Sequence, residues 1–220
     1  MKTKCKNDCE YYNNGKCFAS SDIKYEDLIV CKPDNFNGVL FILREPHKYE
    51  NQSSEDAVSG NKNWWGKICS AAGKTGKETA YTNRFHEYLN ALECLNAICE
   101  NDNDLSKAAL ANINPYGGEE KASECYREIS QDEKYNRIEH ILREVKPKYI
   151  FMCSDIYNAL KNNIGNEPEE NNGVKYNSNK RRQYKSLTLT FENQKIRCFE
   201  IIHPCISPKI VEIEKRVNRG

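Results

Sequence analysis

Short runs of apolar residues, several of them ended by a proline turn, dominate the hydrophobic pattern of this chain. Val39–Leu43 is a run of five apolar residues, which is typical of a strand buried on both faces of a parallel sheet. Residues 108–113 and Tyr149–Cys153 show the same pattern. Residues 187–191 and 196–202 flank a polar turn, and this arrangement predicts a β-hairpin.

The segments between these strands carry apolar residues at helical spacing, namely residues 67–72, 81–100 and 119–144. Ser154 and Asp155 can cap a further helix that runs to about residue 163. A final amphipathic helix is expected after residue 208. This alternation predicts an α/β fold, a three-layer α/β/α domain with a mainly parallel central sheet of about four strands.

Two long polar stretches are predicted to be loops. Residues 47–66 end in the adjacent tryptophans Trp64 and Trp65, which can form the wall of a pocket or cover a core. Residues 165–186 contain an acidic run followed by the most basic local patch of the chain, at residues 180–182. Charge runs of this kind are usually solvated.

The overall charge of the chain is close to neutral. Its 220 residues include 33 Lys and Arg against 32 Asp and Glu, so no global basic field attracts nucleic acid and any DNA contact must come from local patches. The N-terminus has no apolar signal region, and no apolar run reaches membrane-spanning length. We therefore expect a cytoplasmic, monomeric protein without a membrane partner.

Cysteine is unusually frequent, and four of the eleven cysteines lie within residues 1–34. Disulfides are rare in the cytoplasm, and this polar segment has too few apolar residues to build a core. Four thiols in a segment without a core therefore predict a structural metal site, holding either zinc or a [4Fe–4S] cluster. Their C-x3-C-x7-C-x13-C spacing matches no standard zinc-finger or bacterial ferredoxin pattern. The predicted ligands are Cys5, Cys9, Cys17 and Cys31. The alternative is four unrelated thiols, with Cys31 belonging to the domain of residues 35–220.

Polar side chains followed by proline end three of the predicted strands. These residues are Glu45, Asn114 and His203, and Asn112 lies just before the second of them. Open α/β sheets keep their ligand crevice at the carboxyl ends of parallel strands. If the three ends share one edge of the sheet, the crevice holds a carboxylate, one or two amides and an imidazole.

These three strand-end motifs resemble those of the uracil-DNA glycosylase superfamily. Residues 43–47 (Leu-Arg-Glu-Pro-His) are similar to the family's first motif, and residues 112–115 (Asn-Ile-Asn-Pro) to its second. Residues 203–207 (His-Pro-Cys-Ile-Ser) are similar to its H-P-S-x-x-S motif, with Cys205 where the family usually has serine. The resemblance extends over roughly residues 37–217.

The resemblance implies a hydrolase that cleaves the N-glycosidic bond of uracil or of another damaged or non-standard base in DNA, with no cofactor needed for base excision. The implied catalytic residues are Glu45 and His203. The implied base-binding residues are Asn112, Asn114, His47, Tyr49, Trp64 and Trp65. The implied DNA-binding residues are Arg44, Lys180, Arg181, Arg182, Ile206, Ser207 and Lys209. The DNA partner can be single- or double-stranded.

Two other functions remain open from the sequence. Arg44 and His47 depart from the residues usual in the family's first motif, and the chain is almost neutral. Both features favour a non-catalytic nucleic-acid-binding module that keeps the glycosylase fold. A metal-dependent regulatory protein, in which the cysteine segment is the functional part, is the third possibility.

Overall fold

The computed structural model describes residues 23–45, 54–70, 77–94, 104–115, 124–164, 174–177, 185–201 and 209–213. These residues form an α/β fold with a mixed six-stranded sheet and a separate two-stranded sheet. The predicted α/β class is therefore confirmed. The predicted strand number of about four was too low, because two further strands pair with the edges of the parallel strands.

The strands of the described residues are β1 (Ile29–Cys31), β2 (Val39–Leu43), β3 (Ala109–Asn112), β4 (Tyr149–Cys153), β5 (Val174–Asn177), β6 (Ser186–Phe191), β7 (Gln194–Ile201) and β8 (Lys209–Ile213). The large sheet has the order β1-β3-β2-β4-β7-β6. Its four inner strands β3, β2, β4 and β7 are parallel to one another, whereas β1 and β6 pair antiparallel at the two edges.

The α-helices of the described residues are α1 (Ser54–Ser70), α2 (Lys77–Cys94), α3 (Glu124–Glu128), α4 (Gln131–Val145) and α5 (Ser154–Ile164). Short 3-10 helices precede β1 and β3, at Tyr25–Leu28 and Leu105–Lys107. The helix predicted over residues 119–144 is thus divided, because Ser130 caps a new helix by accepting a hydrogen bond from the Glu133 backbone N–H. A search of the described helices for a membrane-spanning segment found none.

Strand β2 lies in the middle of the sheet, and all five of its residues are buried, as its apolar run predicts. A row of aromatic rings crosses the sheet in register from Phe41 through Phe151 to Phe199. The ring centroids are 5.4 Å and 5.1 Å apart and both pairs are stacked. Cross-strand aromatic pairs of this kind stabilise the register of neighbouring strands.

Helices cover both faces of this row of strands. On one face Phe41 contacts Trp65 of α1 and Phe85 of α2. Successive side chains of a strand point to opposite faces, so Arg44 lies on the other face, where it contacts Asp155 of α5. Helix α4 packs against α5 on that second face. Because side chains alternate between the two faces, Phe41 and Glu45 lie on the face covered by α1 and α2, and Arg44 lies on the face covered by α4 and α5.

The strand order creates a point where the chain reverses direction across the sheet. In chain order the parallel strands are β2, β3, β4 and β7, but β3 lies on one side of β2 and β4 on the other. In doubly wound sheets the ligand crevice opens outside the carboxyl ends of the strands at this switch point. That rule places the crevice beyond Leu43 of β2 and Cys153 of β4, next to the motif that contains Glu45.

The prediction of a loop over residues 47–66 was wrong for residues 54–66, because α1 begins at Ser54 and continues to Ser70. Residues 47–53 lie outside the described part of the chain. The helix is polar in composition, and among the side chains described in it, those of residues 59–70, a narrow stripe is buried at Asn61, Trp65 and Ile68. This i, i+4, i+7 spacing is helical, but an asparagine in the stripe hides the apolar pattern.

The prediction of a C-terminal helix was also wrong. Residues 209–213 form β8, which pairs antiparallel with β5. Three of its five residues are Ile or Val, and β-branched residues favour strands. Strand β5 lies inside the stretch 165–186, which was predicted to be a loop. The prediction missed it because the segment is polar and its strand partner, β8, lies more than 30 residues further along the chain.

The predicted hairpin is confirmed. Strands β6 and β7 are joined by Glu192 and Asn193, which have φ values of 46° and 66°. Positive φ at both central residues is typical of a type I′ turn, whose twist matches that of the flanking strands. Asparagine tolerates this conformation better than most residues, so the turn is partly specified by local sequence.

Part of the cysteine-rich segment packs with the main domain. Strand β1, which ends at Cys31, pairs with β3, and the neighbouring Leu28 and Val30 are buried in the core. The described residues before position 35 are thus continuous with the large sheet. Cys5, Cys9 and Cys17 lie outside the described residues.

Candidate functional site

The carboxyl ends of β2 and β3 bring the first two sequence motifs together. Their parallel pairing continues past the strands, with the Ile113 N–H donating to the Leu43 carbonyl at 2.9 Å and the Asn114 N–H to the Arg44 carbonyl at 2.8 Å. This register places the Asn114 side chain beside Glu45. The Asn114 Nδ2 atom donates a hydrogen bond of 3.0 Å to Glu45 Oε2, and both residues are buried.

Asn112 lies one pleat earlier on the same face of β3. It is in register with Leu43 and is only 2 % exposed, and its Oδ1 atom is buried without a hydrogen-bond partner in the described part of the chain. Buried side-chain amides normally have their hydrogen bonds satisfied, so an amide without a partner at a strand end points to a ligand. The geometry therefore groups Asn112, Asn114 and Glu45 at one place, as the sequence predicted.

Two residues that the sequence analysis missed hold the second motif in position. Asn61 of α1 donates from Nδ2 to the Pro115 carbonyl at 3.0 Å. Arg137 of α4 donates from an Nη atom to the Ile113 carbonyl at 3.0 Å and from Nε to Glu133 at 2.8 Å. The two helices thus fix the same turn from different sides.

The sequence did contain a signal for Arg137. The buried stripe of α4 includes Ile138, Ile141 and Val145, and Lys134 and Arg137 fall on that stripe at helical spacing. A charged residue at a core position is rarely buried unless it is paired. Both residues could therefore have been recognised as internal contacts.

A second polar cluster lies on the opposite face of the same strand end. The Arg44 Nε atom contacts Asp155 Oδ1 at 2.8 Å, and the Tyr126 hydroxyl donates to Asp155 Oδ2 at 2.5 Å. Burial raises the pKa of Asp155, but the Tyr126 hydrogen bond and the Arg44 charge outweigh it and lower that pKa below its usual range. Arg44, predicted to contact DNA, is held by this cluster with its side chain 33 % exposed.

The two adjacent tryptophans have different environments. Trp65 is buried, and its ring meets the Phe85 ring edge-on with the centroids 5.2 Å apart. It therefore covers the core, which was one of the two interpretations of this pair. Trp64 is partly buried and packs beside Trp65. Of the two side chains, that of Trp64 is the more exposed.

Several predicted site residues lie outside the described residues. They are Cys5, Cys9, Cys17, His47, Tyr49, Lys180, Arg181, Arg182, His203, Ile206 and Ser207. Lys209 is the first residue of β8. Strand β7 is parallel to β4 and ends at Ile201, in register with Cys153. The carboxyl end of β7 therefore lies at the same edge of the sheet as that of β2, two strands or about 10 Å away.

The predicted metal ligand Cys31 is the one member of its set that the structure describes. It is half-buried in β1, and burial raises the pKa of its thiol. Burial raises the pKa of the Cys69 thiol in α1 to about 12. The nearby Cys31 thiol raises the pKa of Cys69 further, so the two thiols lie close together. The described residues contain no group of three or more His, Cys, Asp or Glu side chains arranged to hold a metal ion.

Comparisons with known proteins add no family to this geometry. The sequence matches no protein-family model, and none of the curated proteins matches it significantly.

Proposed function

We propose that this protein is a DNA glycosylase-like hydrolase of the uracil-DNA glycosylase superfamily, acting on uracil or another damaged or non-standard base in DNA. The observation that carries the proposal is the hydrogen-bonded pair Glu45–Asn114, with the unpartnered Asn112 amide one pleat away. The three-layer arrangement supports it, because the pair lies at the carboxyl end of parallel strands next to the switch point of the sheet.

In the proposed reaction, the bond between the sugar carbon C1′ and the base nitrogen breaks with its electron pair leaving on the base. The sugar acquires oxocarbenium character, and the oxygen of a water molecule then bonds to C1′ while its proton passes to the Glu45 carboxylate. Glu45 afterwards releases this proton to solvent, and the departed base anion takes up a proton. The Glu45 carboxylate stabilises the developing cation and orients that water, because a fixed negative charge in a buried site acts strongly over a short distance. Its bond to Asn114 keeps the carboxylate in one orientation.

The leaving base needs stabilisation as an anion. We assign this task to His203, which follows β7 closely and can donate a hydrogen bond to a base oxygen. Asn112 is assigned to recognise the base, because a side-chain amide offers one acceptor and two donors. An amide of this kind pairs with adjacent N–H and carbonyl groups on the edge of a base that has been flipped out of the helix.

Base release from uracil-, hypoxanthine- and xanthine-containing oligonucleotides, followed by alkaline strand cleavage, tests the proposal on single- and double-stranded substrates. We expect release from at least one of these, and a loss of about 10²-fold or more in Glu45→Gln and His203→Ala. Glu128→Gln, a carboxylate-to-amide change at an exposed position of α3, is the matched control and keeps full activity. Activity that is unchanged in both test variants would defeat the proposal.

A second candidate is a nucleic-acid-binding module without base excision. The observation in its favour is that Glu45 is only 9 % exposed and already accepts a hydrogen bond from Asn114. A carboxylate engaged in this way can serve to shape a pocket rather than to activate water. Binding of oligonucleotides, abasic ones included, with no base release under any of these conditions would select this function.

We also propose a structural metal ion or cluster on Cys5, Cys9, Cys17 and Cys31, either zinc or [4Fe–4S]. The half-buried position of Cys31 at the sheet edge supports it, because metal coordination there ties the N-terminal segment to the domain. Elemental analysis and the visible spectrum of the purified full chain distinguish the two metals. Cys31→Ser is expected to lower the metal content, whereas Cys69→Ser, another half-buried thiol, is not. Equal metal content in both variants would exclude Cys31 as a ligand.

A further inference from the structure

Two positively charged side chains meet at the carboxyl end of β2, on the face away from Glu45. Arg44 follows β2 directly, and Lys134 projects from α4. Both contact the same carboxylate, that of Asp155 at the start of α5, and the Tyr126 ring closes the cluster from α3. The catalytic assignments above use none of these side chains.

Lys134 is the unusual member of the cluster, because its side chain is almost fully buried while its one ion-pair contact, with Asp155, is long. Its side chain is only 6 % exposed, and its Nζ atom lies 3.8 Å from Asp155 Oδ2, beyond ordinary hydrogen-bond distance. The Tyr126 ring centroid is 4.6 Å from Nζ and provides a cation–π contact. Within the described residues, no acceptor lies within ordinary hydrogen-bond distance of this ammonium group, which can donate three hydrogen bonds.

Arg44 also has unused donors. Its Nε–H donates to Asp155 Oδ1 at 2.8 Å, and this is the one hydrogen bond that the described residues give to its guanidinium group. Both Nη groups are thus left for another acceptor, and the side chain reaches the surface. Both Asp155 oxygens are engaged already, one by Arg44 and the other by Tyr126.

The charges of the cluster do not balance. Arg44 and Lys134 contribute two positive charges and Asp155 one negative charge, so one positive charge remains. Helix α5 begins at Ser154, and the N-terminal end of a helix adds partial positive charge. An internal ion pair would need only one of the two cations. The second cation, Lys134, shares the Asp155 carboxylate with Arg44 at a distance longer than a hydrogen bond, so the cluster neutralises it only in part. Buried charges are normally paired and hydrogen-bonded.

We propose that Arg44 and Lys134 bind a phosphate group at this edge of the sheet. A phosphate brings several strong acceptor oxygens, which match the free Nη donors of Arg44 and the ammonium donors of Lys134. The site lies outside the carboxyl ends of β2 and β4, where doubly wound sheets bind their ligands. The phosphate can belong to a nucleic-acid strand or to a small phosphorylated molecule, and only the first source rests on the proposed function.

Thermal unfolding of the full chain in inorganic phosphate, compared with chloride at equal ionic strength, tests the site. We expect phosphate at roughly ten times its Kd to raise the Tm of the unmodified protein by about 3 °C. Lys134→Met and Arg44→Gln are expected to abolish this rise. Lys161→Met removes an exposed lysine of α5 and keeps the rise. Each comparison is made within one variant, so a change in basal stability does not affect it.

The proposal is overturned if phosphate leaves the Tm of the unmodified protein unchanged, or raises the Tm of all variants equally. Because Arg44 is partly exposed, Arg44→Gln keeps the test valid even if Lys134→Met does not fold. Base release gives an independent readout. A phosphate response that persists in Glu45→Gln supports the site whatever the outcome for base excision.

Oligonucleotide binding as a function of salt identifies the source of the phosphate. If a nucleic-acid strand occupies the site, Arg44→Gln weakens binding and reduces the slope of log K against log salt by about 1. Inorganic phosphate then also competes with the oligonucleotide. If a small phosphorylated molecule is the ligand, the thermal response depends on Arg44 and Lys134 but the salt slope is the same in all variants.

Discussion

The Asn114 Nδ2 atom donates a hydrogen bond of 3.0 Å to Glu45 Oε2, although 69 positions separate the two residues in the chain. The contact follows from the parallel register of β2 and β3, which pairs Leu43 with Asn112 and continues for two residues beyond the strands. Glu45 and Asn114 are neighbours because β2 and β3 end in the same register at their carboxyl ends. Pro115 follows Asn114 directly and has no backbone N–H with which to continue this pairing.

Removing the amide of this pair should cost the buried Glu45 carboxylate the hydrogen bond that Asn114 donates to it. We expect Asn114→Ala to lower the free energy of unfolding by about 1–3 kcal/mol, measured by urea denaturation at neutral pH. A double-mutant cycle with Glu45→Ala should show a coupling energy of at least about 1 kcal/mol. In the control cycle Asn114→Ala is combined with Glu192→Ala in the distant β6–β7 turn, and the two effects should add within about 0.5 kcal/mol. Additivity in both cycles would contradict the pairing.

Arg137 should be essential for the stability of the second motif. Its side chain is fully buried and serves both Glu133 and the Ile113 carbonyl, so removing it leaves two groups without their donor. We expect Arg137→Met to lower the free energy of unfolding by about 3 kcal/mol or more. Arg137→Lys should recover little, because an ammonium group cannot replace the fork of a guanidinium. The control variant Arg127→Met, at an exposed position of α3, should change the free energy of unfolding by less than about 0.5 kcal/mol.

The Asp155 cluster should make the free energy of unfolding depend on pH in the acidic range. The pKa of Asp155 is lowered in the folded protein, so the carboxylate stabilises the fold above its unfolded pKa of about 3.9, and this stabilisation is lost as pH falls toward the folded value. Tyr126→Phe removes one of the interactions that lower this pKa. The variant should therefore lose about 1–2 kcal/mol at pH 7. The difference from the unmodified protein should shrink at about pH 3.

Urea denaturation at the two pH values checks the acid dependence. Tyr149→Phe, which removes the hydroxyl of a half-buried tyrosine in β4, is the control. Its difference in unfolding free energy from the unmodified protein should be the same at both pH values. If the Tyr126→Phe deficit is the same at both pH values, the hydroxyl does not act through the Asp155 carboxylate.

Gly66 offers a stabilising substitution. It lies inside α1, and a Cβ atom at this position would meet nothing within 4 Å. We expect Gly66→Ala to raise the free energy of unfolding by about 0.5–1 kcal/mol, because alanine loses less backbone freedom in a helix. Gly38 is the contrasting position, since its φ of 87° strains any other residue and Gly38→Ala should destabilise. A loss of stability in Gly66→Ala would argue against a helix there.

The elements that could be predicted from the sequence are those with a strong local pattern. Continuous apolar runs identified β2, β3 and β4, and the Glu192–Asn193 turn identified the hairpin. Helix α1 was not predicted because the polar Asn61 interrupts its buried stripe. Asn61 is buried because it donates a hydrogen bond to the Pro115 carbonyl, which is 54 positions away in the chain. Strand β5 was not predicted because its polar sequence becomes a strand through pairing with β8, and β8 was not predicted because its apolar residues were interpreted as one face of a helix.

The sequence by itself determined which strands are central and which polar residues end them, because burial on both faces demands unbroken apolar runs and proline ends a strand locally. Only the tertiary structure decided that Glu45 bonds to Asn114 while Arg44, its neighbour, turns to Asp155. That division depends on strand register and on the opposite directions of successive side chains. Lys134 and Arg137 were likewise assigned by packing, because a charged residue on a buried helix stripe is defined by what it meets across the interface.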